Sequence, residues 1–163
     1  MMHITQATTK QAFSDIELLA DTIWRDHYIP IVGKSQIDYM LDQFQTAKAI
    51  ENQVQAGMSY FIMYLDNAAV GYFAIKPEET NMFLSKIYVL KTQRNKGIAK
   101  NAIHFILEQV KIKQLKGIRL TVNINNEIAI KAYKKLGFII TKPIVADIGN
   151  GFVMDDYEMV KSL

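Results

Sequence analysis

Residues 82–110 constrain the fold most. "MFLSKIYVL" (82–90) is an apolar, strand-like run, and it leads through "QRNKGIAK" (93–100) into Ala99, Ala102, Ile103, Ile106, Leu107 and Val110. Those six positions fall at offsets of zero, three, four, seven, eight and eleven, which is one face of an α-helix. A strand that feeds a helix through a single glycine belongs to a layered α/β architecture.

The flanking segments extend that reading. Ile4 to Ala7 is a short strand, and Ile16, Leu19, Ala20, Ile23 and Trp24, continued by His27, make a helical stripe. Pro30 and Gly33 break it, and Ser35-Gln36-Ile37-Asp38 resembles a capping box opening a second helix with Ile37, Met40, Leu41 and Phe44 inward. "MSYFIMYL" and "AAVGYFAI", joined by Asp66-Asn67, predict an antiparallel hairpin. After Gly117, "IRLTV" (118–122) reads as a buried strand. A helix carrying Ile128, Ala129, Ala132, Tyr133 and Leu136 then closes at Gly137. Residues 138–157 supply two more strands around Gly149-Asn150-Gly151. The expected fold is a mixed α/β sheet in one domain over residues 1–163, as the length of 163 suits about one domain.

Composition removes several function classes. There is no cysteine, which excludes disulfides, thiolate metal sites and a cysteine nucleophile. His3, His27 and His104 lie far apart in sequence, so no metal site is expected. The formal charge of +3 is too small to demand nucleic acid, and the lysines beyond the loop spread as on a solvated face. With neither an apolar leader at Met1-Met2-His3 nor a membrane-length apolar run, a cytoplasmic chain with no membrane partner is expected.

The glycine loop is the strongest chemical signal. The first amides of a helix lack intrahelical partners and lie at the positive end of its dipole, a place that binds anions. Gly97 admits a ligand close to the backbone, Ala99 keeps the next turn narrow, and Arg94, Lys96 and Lys100 add positive charge. A pyrophosphate fits this description, as does a plain helix start with solvated lysines. The G-x-x-x-x-G-K-[ST] and G-x-G-x-x-G loops are absent.

Two stretches carry a family resemblance. Arg94-Asn95-Lys96-Gly97-Ile98-Ala99 is similar to the Q/R-x-x-G-x-G/A signature of the GCN5-related N-acetyltransferases (GNAT). Asn126, Ala129, Tyr133, Gly137 and Phe138 are similar to the second signature of that family, in the expected order. The resemblance covers residues 58–140 most closely, and its branch resembles the small-amine or polyamine acetyltransferases. It implies a twisted, mostly antiparallel sheet flanked by helices, with neighbouring parallel strands splayed to admit coenzyme A and two N-terminal helices over the acceptor site.

The resemblance also implies roles. Backbone amides of Arg94, Asn95, Lys96, Gly97, Ile98, Ala99 and Lys100 would hold the pyrophosphate of acetyl-CoA. Ile87, Tyr88 and Val89 would pair with the pantetheine arm, the Val89 N–H near the thioester oxygen. Asn126 would cap its helix, with or without a cofactor contact. Tyr133 would protonate or hydrogen-bond the departing thiolate. Many relatives carry an acid on the strand before the loop, where this chain has Phe83, Leu84, Ser85 and Lys86, so the general base is unassigned. Trp24, His27, Tyr28, Tyr39 and Asp155 are candidates for the acceptor pocket. Asp155 and Asp156 cannot both face it from a regular strand.

The function expected is direct transfer of acetyl from acetyl-CoA to a primary amine of a small molecule. A protein N-terminal or lysine acetyltransferase and a non-catalytic acyl-CoA-binding module are the alternatives. The family often forms dimers, so a homodimer is a further expectation.

Overall fold

A computed structural model describes residues 1–163. Seven strands are ordered β1-β2-β3-β4-β5-β7-β6; pairing is antiparallel for β1–β2, β2–β3, β5–β7 and β6–β7 and parallel for β4–β5. The strands are β1 (Met2–Gln6), β2 (Ser59–Leu65), β3 (Ala68–Pro77), β4 (Asn81–Val89), β5 (Gly117–Asn123), β6 (Ile139–Gly149) and β7 (Phe152–Ser162). The helices are α1 (Lys10–Val32), α2 (Lys34–Phe44), α3 (Ala47–Gln55), α4 (Ile98–Ile112) and α5 (Glu127–Lys135). The chain forms two compact units, residues 1–75 with 87–99 and residues 76–86 with 100–163. No helix is long and apolar enough to cross a membrane.

The first unit holds α1 to α3, β1, β2, most of β3, the end of β4 and the glycine loop. Thr9 caps α1, its hydroxyl accepting from the Ala12 amide at 3.1 Å, and the expected stripe of Ile16, Leu19, Ala20, Ile23 and Trp24 is buried. Pro30 does not end this helix. It sits in the last turn, where the ladder continues past it through the Gly33 amide on the Ile29 carbonyl at 2.9 Å.

The capping box expected at Ser35 is not formed. Gly33, at φ +89, is the only residue between α1 and α2, so the second helix begins before the serine and has no side-chain cap. A third helix, α3, lies outside the elements expected from the sequence; Thr46 caps it by accepting from the Ala49 amide at 3.1 Å, and Ile50 is buried. The β2–β3 hairpin turns on Asp66 (φ +50) and Asn67 (φ +68), two left-handed residues whose twist suits a two-residue hairpin.

In the second unit, Ile118, Leu120 and Val122 of β5 are buried and alternate with Arg119, Thr121 and Asn123. Their cross-strand partners on β7 follow the same division. Met159 lies opposite Leu120 on the apolar face, while Asp156 and Glu158 lie opposite Asn123 and Thr121 on the polar one. α4 buries Ala102, Ile103, Ile106 and Val110, the face expected from their spacing. β6 ends the strand order and has Ile139 and Val145 among its exposed side chains.

Candidate active site

The β4–β5 ladder is short. It joins Asn81 to Gly117, Met82 to Ile118 and Phe83 to Arg119, while β4 itself continues to Val89. Three residues past the last pair, Lys86 adopts φ +35, a conformation that lysine rarely takes. This left-handed residue stands just before the segment Ile87, Tyr88 and Val89 that leads to the glycine loop.

Beyond β4, residues Lys91–Gln93 form one 3₁₀ turn, and positive φ angles at Asn95 (+64) and Gly97 (+76) lead the chain into α4. Left-handed residues in such a turn curve successive amides toward one side, the geometry of an anion-binding concavity. A Cβ placed on Gly97 would meet nothing within 4 Å, so space for a ligand is open against the backbone. Arg94 is half-buried, and Asn95, Lys96, Gly97 and Lys100 are exposed. The Lys96 ammonium donates to Gln93 at 2.9 Å and, with the N-terminal ammonium acting more strongly, helps hold the Asp66 carboxyl below its usual range. Ile98 is buried and anchors the start of α4, and Ala99 is half-buried.

Within the first unit, a buried hydrogen-bond chain fixes the aromatic candidates. Trp24 Nε1 donates to the Tyr72 hydroxyl at 3.0 Å, which donates to Gln45 Oε1 at 2.6 Å; Gln45 Nε2 reaches the Tyr60 hydroxyl at 3.2 Å, and that hydroxyl donates to Gln53. Burial pushes the Tyr60 phenol up to about 12 against the opposing pull of Gln45. Tyr88 stacks on Tyr72 with centroids 4.9 Å apart and lies 5.5 Å from Trp24. Trp24 is thus a core residue whose polar atom is committed to Tyr72 and whose ring packs on Tyr88. Tyr28 packs edge-on to both Trp24 (5.9 Å) and His27 (4.9 Å), and all three come together on α1. Tyr39 is half-buried on α2.

In the second unit, Asn126 is buried and caps α5, its Oδ1 accepting from the Ala129 amide at 3.3 Å. Tyr133 is buried on α5 against Phe138, centroids 5.4 Å apart. Of the adjacent acids on β7, it is Asp156 that turns inward, only 4% exposed, whereas Asp155 is exposed on the opposite face. The acceptor-pocket role expected of Asp155 finds no support in that placement, because alternate strand residues face opposite ways.

Asp156 accepts from the Thr121 hydroxyl, yet its Oδ1 is buried without a hydrogen-bond partner. Burial raises its pKa, and the Lys86 ammonium is the largest opposing influence. Lys86 shows the reverse: burial lowers its pKa, and Asp156 pulls it back. The two values are moved toward one another, as expected of a charge pair taken out of water. On the face of β5 that also carries Thr121, Arg119 forms a two-pronged pair with Glu78 (2.9 and 3.0 Å), reaches Glu158 at 3.4 Å and covers the Phe83 ring at 4.8 Å.

Residues 17–138 match the model of the acetyltransferase (GNAT) family. The chain belongs to the GNAT family. It is therefore an acyltransferase by descent, and solved GNAT structures share its architecture. A PaiA N-acetyltransferase from Thermoplasma acidophilum, solved with coenzyme A, is 18% identical; the match covers 100% of this chain and 99% of that one at a TM-score of 0.83. A GCN5-related N-acetyltransferase from Rhodopseudomonas palustris matches at 12% identity over 99% and 95% of the two chains, TM-score 0.82. A putative streptothricin acetyltransferase from Bacillus anthracis, solved with acetyl coenzyme A, is 24% identical over 66% and 63%, TM-score 0.58.

Reading this GNAT sequence alone misses Lys86, Thr121 and Asp156 as a group. The signal for Asp156 lies in the period-two series Phe152, Met154, Asp156, which keeps the acid on the face of two half-buried apolar residues. The positive φ of Lys86 has no counterpart in residue type.

Proposed function

We propose that this GNAT chain transfers the acetyl group of acetyl-CoA to a primary amine of a small molecule, by direct attack in a ternary complex and within one catalytic domain over residues 1–163. The observation that carries the reading is the succession of a short parallel ladder, a left-handed residue at Lys86 and a glycine loop open at Gly97. Loop amides from Arg94 to Lys100 would bind the pyrophosphate, and Ile87 to Val89 would offer backbone groups to the pantetheine arm and the thioester oxygen.

Acetyl-CoA supplies an activated thioester carbonyl. The amine lone pair forms the C–N bond, the C–S bond breaks, the nitrogen releases a proton to solvent as the amide forms, and Tyr133 supplies a proton or hydrogen bond to the leaving thiolate. An amine must first lose a proton, since a primary alkylammonium has a pKa near ~10.4. The resemblance to small-amine acetyltransferases supports a small cationic acceptor.

The testing experiment is acetyl-CoA-dependent thiol release across polyamines, other small amines, amino acids and peptides, free of protein thiol background because the chain has no cysteine. Release driven by small amines is expected. Release driven by peptides alone would make this a protein-modifying enzyme, and acetyl-CoA binding with no release would make it a binding module.

A further inference from the structure

Ile87, Tyr88 and Val89 lie in the first unit together with α1 and β3, and of the three it is Tyr88 whose side chain is buried. Neighbouring strand residues face opposite ways, so the Tyr88 ring is the part of this segment that the interior can hold. It meets two other rings: Tyr72 of β3, stacked at 4.9 Å with 28° between the planes, and Trp24 of α1, tilted at 5.5 Å and 39°. Those two are tied to each other, since Trp24 Nε1 donates to the Tyr72 hydroxyl at 3.0 Å. The hydroxyl donates in turn to Gln45 Oε1 at 2.6 Å, and Gln45 is anchored through Nε2 on the Phe44 carbonyl at 2.7 Å. The backbone fits as closely: Gly71 passes the Tyr88 carbonyl with no room for a Cβ, and the Leu90 amide donates to the Val70 carbonyl at 2.9 Å. Filling this space requires no more than apolar rings, whereas a buried N–H and a buried hydroxyl are costly unless bonded. Bonded as they are, they fix the rotation of two rings that packing alone would leave freer to slide.

We propose that Trp24 and Tyr72 are positioning residues for the cofactor arm: their hydrogen-bonded rings clamp Tyr88 and so hold the backbone groups of Ile87 to Val89 in register with the pantetheine and the thioester. The inference rests on the assignment of that segment to acetyl-CoA made above. Both residues act through Tyr88 rather than on the cofactor. Backbone donors stabilise developing charge only when they are aimed in advance, which gives the clamp its value for transfer as well as for binding.

The test compares wild type, Tyr72→Phe, Trp24→Phe and Tyr60→Phe by calorimetry with acetyl-CoA and with adenosine 3′-phosphate 5′-diphosphate, which keeps the pyrophosphate and lacks the arm. The ratio of the two affinities reads the arm alone; urea denaturation and kcat/KM for acetyl-CoA accompany it. Tyr72→Phe is expected to shrink the ratio by ~10-fold or more, with kcat/KM falling in step, because a misplacement of about 1 Å can cost ~100-fold. Its affinity for the armless nucleotide should be unchanged. Tyr60→Phe breaks the same chain beyond Gln45, which keeps its bond to Phe44, so it should lose stability while the ratio stays at the wild-type value. A merely structural Tyr72 would behave as Tyr60 does. Should Tyr72→Phe fail to fold, Trp24→Phe decides, with the same fall expected. A ratio within about twofold of wild type in the folded variant, or an equal fall in Tyr60→Phe, overturns the proposal while the cofactor assignment stands. A wild type that binds both ligands equally overturns the assignment of Ile87 to Val89 and the clamp with it. A wild type that favours acetyl-CoA yet acetylates no amine overturns acetyl transfer, and the ratio still decides the clamp.

Discussion

Gly71 on β3 is the position where one added methyl group should disturb the cofactor segment most directly. Its Cβ would be driven into the backbone carbonyl of Tyr88, with Met63 Cε at 2.9 Å and the Val89 Cα at 3.2 Å. Met63 can rotate its terminal methyl away, but the carbonyl and Cα belong to β4 and can yield only if the strand moves. Gly71 has no left-handed φ, so alanine is conformationally allowed and would ordinarily gain up to ~1 kcal/mol in a strand. Overpacking against backbone costs ~1–3 kcal/mol, and this contact lies at the severe end, which leaves a net loss of about 2 kcal/mol. For a chain of this size that corresponds to a Tm lower by roughly 4–8 °C. Urea denaturation of Gly71→Ala should show the loss, and the KM for acetyl-CoA should rise because Tyr88 and Val89 are displaced. A variant as stable as wild type with an unchanged KM would refute the reasoning.

Gly97→Glu should weaken acetyl-CoA binding at least ~10-fold, since it sets a carboxylate and a strained φ where phosphate is to bind; unchanged affinity by calorimetry would reject the loop assignment. Tyr133→Phe should lower kcat by ~10-fold or more while leaving acetyl-CoA affinity near wild type, and wild-type turnover would remove the acid role. Tyr72→Phe takes the acceptor from Trp24 Nε1 and the donor from Gln45 Oε1, so chemical denaturation should show a loss of about 2 kcal/mol. The Tyr60 phenol has a folded pKa raised to about 12; its contribution to stability is therefore complete below the unfolded value of ~10 and is lost as pH rises toward the folded one. Phenolate absorbance should show Tyr60 un-ionised in that window until the chain unfolds, and ionisation in step with exposed tyrosines would contradict its burial.

The parts of the fold legible in the sequence are those in which period and turn chemistry agree. The α4 stripe, the Asp66-Asn67 hairpin, the Asn126 cap and the Gly149-Asn150-Gly151 turn all combine a hydrophobic period with a residue suited to the required φ. The α1–α2 junction was not legible, because Pro30 is tolerated in a last turn and a single glycine suffices as connector, leaving the serine inside the helix. Of the site, the loop could be read because its glycine has a conformational cause. The Lys86–Asp156 relation could not, since it joins residues 70 apart in number, from 86 to 156, and a left-handed lysine has no signal in residue type. Trp24 looked like a pocket residue by type, and its indole N–H turned out to be bonded within the core.

The last strand in the sheet order, β6, has a colloidal consequence. An eleven-residue outer strand with Ile139, Ile140 and Val145 exposed is a template on which another extended chain can add. Two features oppose this: Lys142 and Pro143 interrupt the apolar series with a charge and a missing amide, and the register breaks at Ile140/Lys142 and again at Asp147/Gly149. The shelf life of concentrated protein thus depends on two neighbouring residues that need have no part in catalysis. Replacing both with valine would leave a continuous sticky border, and turbidity on storage would increase long before any loss of turnover per folded molecule.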